Sequence, residues 1–130
     1  MSVALETVAE LVKPLDGAIV RRFTAGSAIT AGMPVAMASD GYVDPADGTD
    51  TTLSFALGMA VQTAAAAGDR IDVVVYGPMK VLTGATPGVL LFVSDTGGSI
   101  GTTAGTKSTI LGVCESATVL FVKPIYVTLT

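Results

Sequence analysis

Arg70-Ile71-Asp72-Val73-Val74-Val75-Tyr76 carries the two-residue period of a β-strand. Ile71, Val73 and Val75 fall on one face, and Asp72, Val74 and Tyr76 on the other. Ala67-Gly68-Asp69, just before it, supplies a turn. The same texture extends in both directions. Short β runs are expected over residues 18–23, 33–38, 53–61, 80–83, 89–94, 109–115, 118–123 and 125–129. Between them stand Ala25-Gly26, Ala31-Gly32, Asp40-Gly41, Asp47-Gly48 and Thr96-Gly97-Gly98. Turns every 8–12 residues and no alternation of strand with helix point to an all-β fold. The expected form is a small β-sandwich or barrel-like domain of short antiparallel strands.

Residues 2–13 read differently. Val3, Leu5, Val8, Leu11 and Val12 cluster near a 3.6-residue period, with Glu6, Glu10 and Lys13 between them. Ser2 is a candidate N-cap and Pro14 a stop. The reading is a short amphipathic helix or arm over 1–16, followed by one β domain over 17–130. Its apolar stripe (Val3, Leu5, Val8, Leu11, Val12) is the candidate partner-docking surface. Within the β domain two halves, about 25–76 and 80–129, echo one another. Leu57-Gly58-Met59-Ala60-Val61 in the first answers Leu111-Gly112-Val113-Cys114-Glu115 in the second.

The chain has 130 residues, one domain by length. Size scaling allows about two-thirds of its surface to be buried, enough for a core without disulfides. Thr and Val number 17 each, and both suit a pleated surface. Only 14% of residues are charged, against about 25% in an ordinary domain. So little charge implies that part of the surface is covered in use, by copies of the chain or by a partner. A net charge of −4, with Arg21-Arg22 the one adjacent basic pair, argues against nucleic acid. The uncharged stretch 51–68 is too rich in Ala, Thr and Gly for a membrane span. The first residues lack the basic start of a signal peptide.

Catalytic residue types are scarce. Histidine is absent, which removes His-based triads, dyads and imidazole metal ligands together. Cys114, the one cysteine, lies in an apolar run and reads as a buried hydrophobe. No phosphate-cradling glycine motif is present. Asp40, Asp44, Asp47, Asp50 and Asp69 fall in expected turns, where Asp bonds its own backbone. The loop 44–50 lacks the spacing of a helix-flanked calcium loop, and reads as a solvated acidic turn. The seven aromatics are scattered along expected strands and read as core. The expectation is a protein that is not an enzyme and needs no cofactor or metal.

From Ala25 onward the phrasing resembles the capsid cement (decoration, or stabilisation) proteins of tailed bacteriophages. The residues that carry the likeness are Ala25-Gly26-Ser27-Ala28-Ile29-Thr30-Ala31-Gly32-Met33-Pro34-Val35 and Asp40-Gly41-Tyr42-Val43. Ala56-Leu57-Gly58-Met59-Ala60-Val61 and Ala66-Ala67-Gly68-Asp69 follow. The second half adds Leu91-Phe92-Val93-Ser94-Asp95-Thr96-Gly97-Gly98 and Ile110-Leu111-Gly112-Val113. The resemblance implies a β-rich virion protein, made in the bacterial host cytoplasm and bound to the capsid exterior. Its implied partner is the major capsid protein, with a homotrimer at threefold positions clamping neighbouring shell subunits. The family would have an extended arm at residues 1–16, where the residues here read as a helix. The alternative, from another class, is a receptor- or glycan-binding fibre or spike domain; the lack of Trp weighs against it. A trimeric β-fold hydrolase working through carboxylates ranks third.

Overall fold

The structure is a computed structural model that describes residues 5–6, 11–50, 52–103, 106 and 108–127, the side chains of Ser108, Tyr126 and Val127 excepted. The chain is all-β. Its strands are β1 (Lys13–Pro14), β2 (Ile19–Thr24), β3 (Pro34–Met37), β4 (Val43–Pro45) and β5 (Ala56–Ala60). Then come β6 (Arg70–Lys80), β7 (Leu90–Val93), β8 (Ile100–Gly101), β9 (Ser108–Cys114) and β10 (Val119–Val127). All strand pairs are antiparallel, in the order β4-β3-β5-β6-β10-β9-β7-β8, and the sheet curls into a half-barrel. β1 and β2 lie in turn along the remaining edge of β6.

β6 is the spine, and its alternation separates two cores. Ile71 and Val73 are buried in one cluster with Ile29, Val35 and Val43, and Val75 packs against it. Val74 and Met79 belong to the larger cluster with Leu82, Leu91, Leu111 and Leu120. A strand buried on both faces needs apolar residues at successive positions, which explains the unbroken Val73-Val74-Val75.

The chain builds the same five-stranded unit twice. In the first, the order is β4-β3-β5, then residues 70–76 of β6, then β2. In the second it is β8-β7-β9-β10, then residues 77–80 of β6. β6 therefore closes one unit and opens the next. The switch falls at Gly77, where an added Cβ would stand 2.7 Å from the Ala18 Cα. Details repeat as well. Gly32 N–H donates to Ala60 O and Gly88 N–H to Cys114 O, both at 2.8 Å. Ala60 N–H returns to Met33 O at 2.8 Å, and Cys114 N–H to Val89 O at 2.9 Å. Each unit also has a bulge beside a Leu-Gly pair, Leu57-Gly58 in β5 and Leu111-Gly112 in β9.

Several expectations need correction. No α-helix occurs among the described residues. Leu5 bridges Leu82, Glu6 N–H donates to Val81 O at 2.8 Å, and Lys13 pairs with Lys80. Leu5 and Val12 of the apolar stripe instead turn toward the chain's own core, and a short helix has little stability of its own to oppose this. Residues 70–76 and 80–83 are not two strands: β6 runs unbroken to Lys80. Pro78 is tolerated because its carbonyl accepts Leu15 N–H at 3.0 Å, so its missing N–H faces the irregular turn between β1 and β2. Likewise 118–123 and 125–129 merge into β10, which passes Lys123-Pro124 as a bulge. β1, β4 and β8, each of three residues or fewer, have no counterpart in the expected strands. Asp44 lies in β4 and not in a turn.

Among the described residues no aromatic side chain is fully buried, though Phe23 packs against the smaller cluster. Phe55, Tyr42 and Tyr76 are exposed, Phe23, Phe92 and Phe121 half-buried, and the buried interior is Val, Ala, Leu, Ile and Met. Among the described residues two polar side chains are buried, Ser54 and Thr109; the Thr109 hydroxyl donates to the Ser54 carbonyl, tying β9 to the loop ahead of β5.

Candidate functional site

β5 meets β6 at Val73 and Val74, and β10 meets it at Gly77 onward. Both lie on the edge of β6 opposite β1 and β2, so the two strands diverge around Val75. An open cleft of about 440 Å³ occupies the gap. Val75 forms part of its lining, with Ala56 and Leu57 of β5 and Met37 at the end of β3. Pro124, in the β10 bulge, faces them, and Thr52 and Phe55 complete the lining from the loop before β5.

The loop is held by Asp50. Its carboxylate accepts the N–H groups of Thr52 at 2.7 Å and Leu53 at 2.8 Å. These bonds, Leu53's first, hold its carboxyl below the usual range because they favour the charged form. Phe55 is left 55% exposed at the rim. Among the described residues no ionisable side chain lines the cleft, and Thr52 brings its one polar side chain. Such a lining suits an apolar side chain, which it would bind through burial.

The residues proposed for docking are divided by the structure. Val12 is 4% exposed within its own domain's core, and Leu5 packs half-buried against the same cluster. Both pack against the chain's own core, Leu5 only in part. Leu11 is exposed. Val3 and Val8 lie outside the described residues. Cys114 is buried and its thiol is pushed upward by desolvation.

The turn carboxylates serve their own loops. Asp40 accepts Tyr42 N–H at 3.0 Å, and Asp47 accepts the Thr49 N–H and hydroxyl at 2.9 and 2.7 Å. Asp69 accepts the N–H groups of Ala65 and Ala66 at 2.9 and 3.3 Å. Asp44, in β4 and outside any turn, instead accepts the hydroxyl of the distant Ser27 at 2.7 Å. Among the described residues no three carboxylates or thiols converge as a metal would require. No helix of the described residues is long and apolar enough to cross a membrane.

The cleft residues Met37, Phe55, Leu57, Val75 and Pro124 were not candidates from sequence. Phe55 falls within the expected strand 53–61, and only the divergence of β5 from β10 turns it outward. No protein-family model matches the chain, and no curated protein matches it.

Proposed function

We propose that this chain is a structural virion protein that binds the outer surface of a tailed-phage capsid. It stabilises the mature shell by clamping neighbouring major capsid subunits, and it acts without catalysis. The observation that carries the reading is the apolar cleft with Phe55 at its rim, on a surface poor in charge. Ile19, Leu90 and Ile125 are also exposed, at 53%, 46% and 42%. Apolar surface of this kind is at home beneath a partner. The run of phrases from Ala25 onward, similar to those of capsid cement proteins, supplies the class of partner.

The energetics suit the role. A ligand that binds the assembled shell but not its free subunits stabilises the assembly in proportion to occupancy. A trimer at threefold positions would engage several shell subunits at once and so gain from multivalency.

The test is co-sedimentation of the full chain with expanded capsids. The expected result is saturable binding at a fixed ratio to the major capsid protein, weakened at least ten-fold by Phe55→Ser in a chain that still folds. No binding at micromolar concentration overturns the proposal. Light scattering of the free and capsid-eluted protein reads the trimer.

A further inference from the structure

The two units place an equivalent strand at the same end of each sheet: β2 in the first, residues 77–80 of β6 in the second. In the second unit that strand's outer edge is covered. Lys13 and Pro14 pair with Lys80 and Met79, Leu5 bridges Leu82, and Leu15 N–H donates to Pro78 O. In the first unit, among the described residues, no strand pairs with the outer edge of β2.

Past the register shift between Ile19 and Val20, that edge has only its two arginines to keep it unpaired. Residues 20–24 of β2 pair in continuous register with β6, without proline or bulge, and β2 carries no carboxylate. Ile19, Val20, Arg21 and Arg22 are all exposed. Alternate N–H and C=O groups of such a strand point outward as a template for a further strand. Its charge is wholly basic, and successive side chains alternate between faces, so the strand presents one arginine on each. Arg22 meets Asp72 at 3.3 Å, and Arg21 lies over the Phe23 ring at 5.7 Å.

We propose that the outer edge of β2 receives an extended acidic segment of a partner protein, added as a sixth strand of the first unit. A carboxylate on each face of the incoming strand would meet Arg21 and Arg22 in turn. A second copy is disfavoured, because antiparallel β2 edges centred on one another oppose arginine with arginine, and like charges across strands repel. The inference does not depend on the capsid reading: a peptide titration of the free chain and co-sedimentation with capsids fail separately.

The experiment is an amide chemical-shift titration of the full chain with a blocked seven-residue Val/Thr peptide carrying two adjacent Glu at its centre, one on each face of the extended strand. Saturable shifts and slowed amide exchange confined to residues 19–24 are expected, weakening as salt is raised. The double variant Arg21→Glu/Arg22→Glu should bind this peptide at least ten-fold more weakly and accept the same peptide with the two Glu replaced by Lys. Arg21→Glu alone leaves the Arg22–Asp72 pair in place and should show a smaller loss with circular dichroism unchanged. Absent or scattered shifts at millimolar peptide overturn the proposal, as does equal binding by the charge-reversed chain. Concentration-dependent dimerisation lost in the double variant overturns it in favour of a second copy.

Discussion

Gly58 and Gly112 occupy the same place in the two units, each beside a bulge and each pressed on the backbone of the neighbouring strand. A Cβ at Gly58 would overlap the Val74 carbonyl oxygen, and one at Gly112 the Phe121 carbonyl oxygen. The obstruction is backbone in both cases, so no side-chain rotation relieves it.

Gly112→Ala should therefore cost several kcal/mol, beyond the ~1–3 kcal/mol typical of core overpacking, and Gly58→Ala should behave alike. Urea unfolding checks this. A loss under about 1 kcal/mol for either would show that the strands can separate cheaply there.

Val12 and Leu11 are sequence neighbours with opposite fates, one buried and one exposed. Val12→Ala should lower stability by about 2 kcal/mol, from lost burial and a residual cavity. Leu11→Ala should stay within about 0.5 kcal/mol. Equal effects would contradict the docking of this segment on its own core.

Asp50 has a folded-state pKa below its unfolded value, so its contribution to the loop is present above the ordinary carboxyl range. It is lost as pH falls through the lowered folded value. Amide shifts of Thr52 and Leu53 followed against pH should titrate together, below the midpoint of an unhindered Asp. Asp50→Ala should abolish that transition and leave Phe55 more mobile.

Cys114 runs the other way. Desolvation raises its folded pKa above the unfolded value, so its contribution is complete below the ordinary thiol value of about 8.5. That contribution is lost as pH rises through the folded value. At pH 8 a thiol reagent should label the native chain only at the rate of unfolding, and urea should release labelling at once. Rapid native labelling would contradict the burial.

The strand period of residues 70–76 was legible from the residues because alternation is local, and so were most turns, which Gly and Asp mark through their own backbone preferences. Pro78 and Pro124 misled for the same local reason. A proline reads as a break, yet Pro78 is accommodated because its missing N–H faces an irregular stretch, and Pro124 because it sits in a bulge of its own strand. The Leu-Gly echo at residues 57–58 and 111–112 was visible in outline, since a glycine at a close approach cannot be exchanged.

The residues by themselves determined an all-β chain, short of charge, with its carboxylates spent on turns and its cysteine in an apolar run. Tertiary structure alone decided that Leu5, Lys13 and Pro14 pair beside residues 79–82, that Phe55 faces a cleft, and that β2 keeps an open edge. Each of these depends on which strand stands beside β6 at a given residue. That is a relation between segments tens of residues apart, fixed by burial across the whole sheet and carried by no local period.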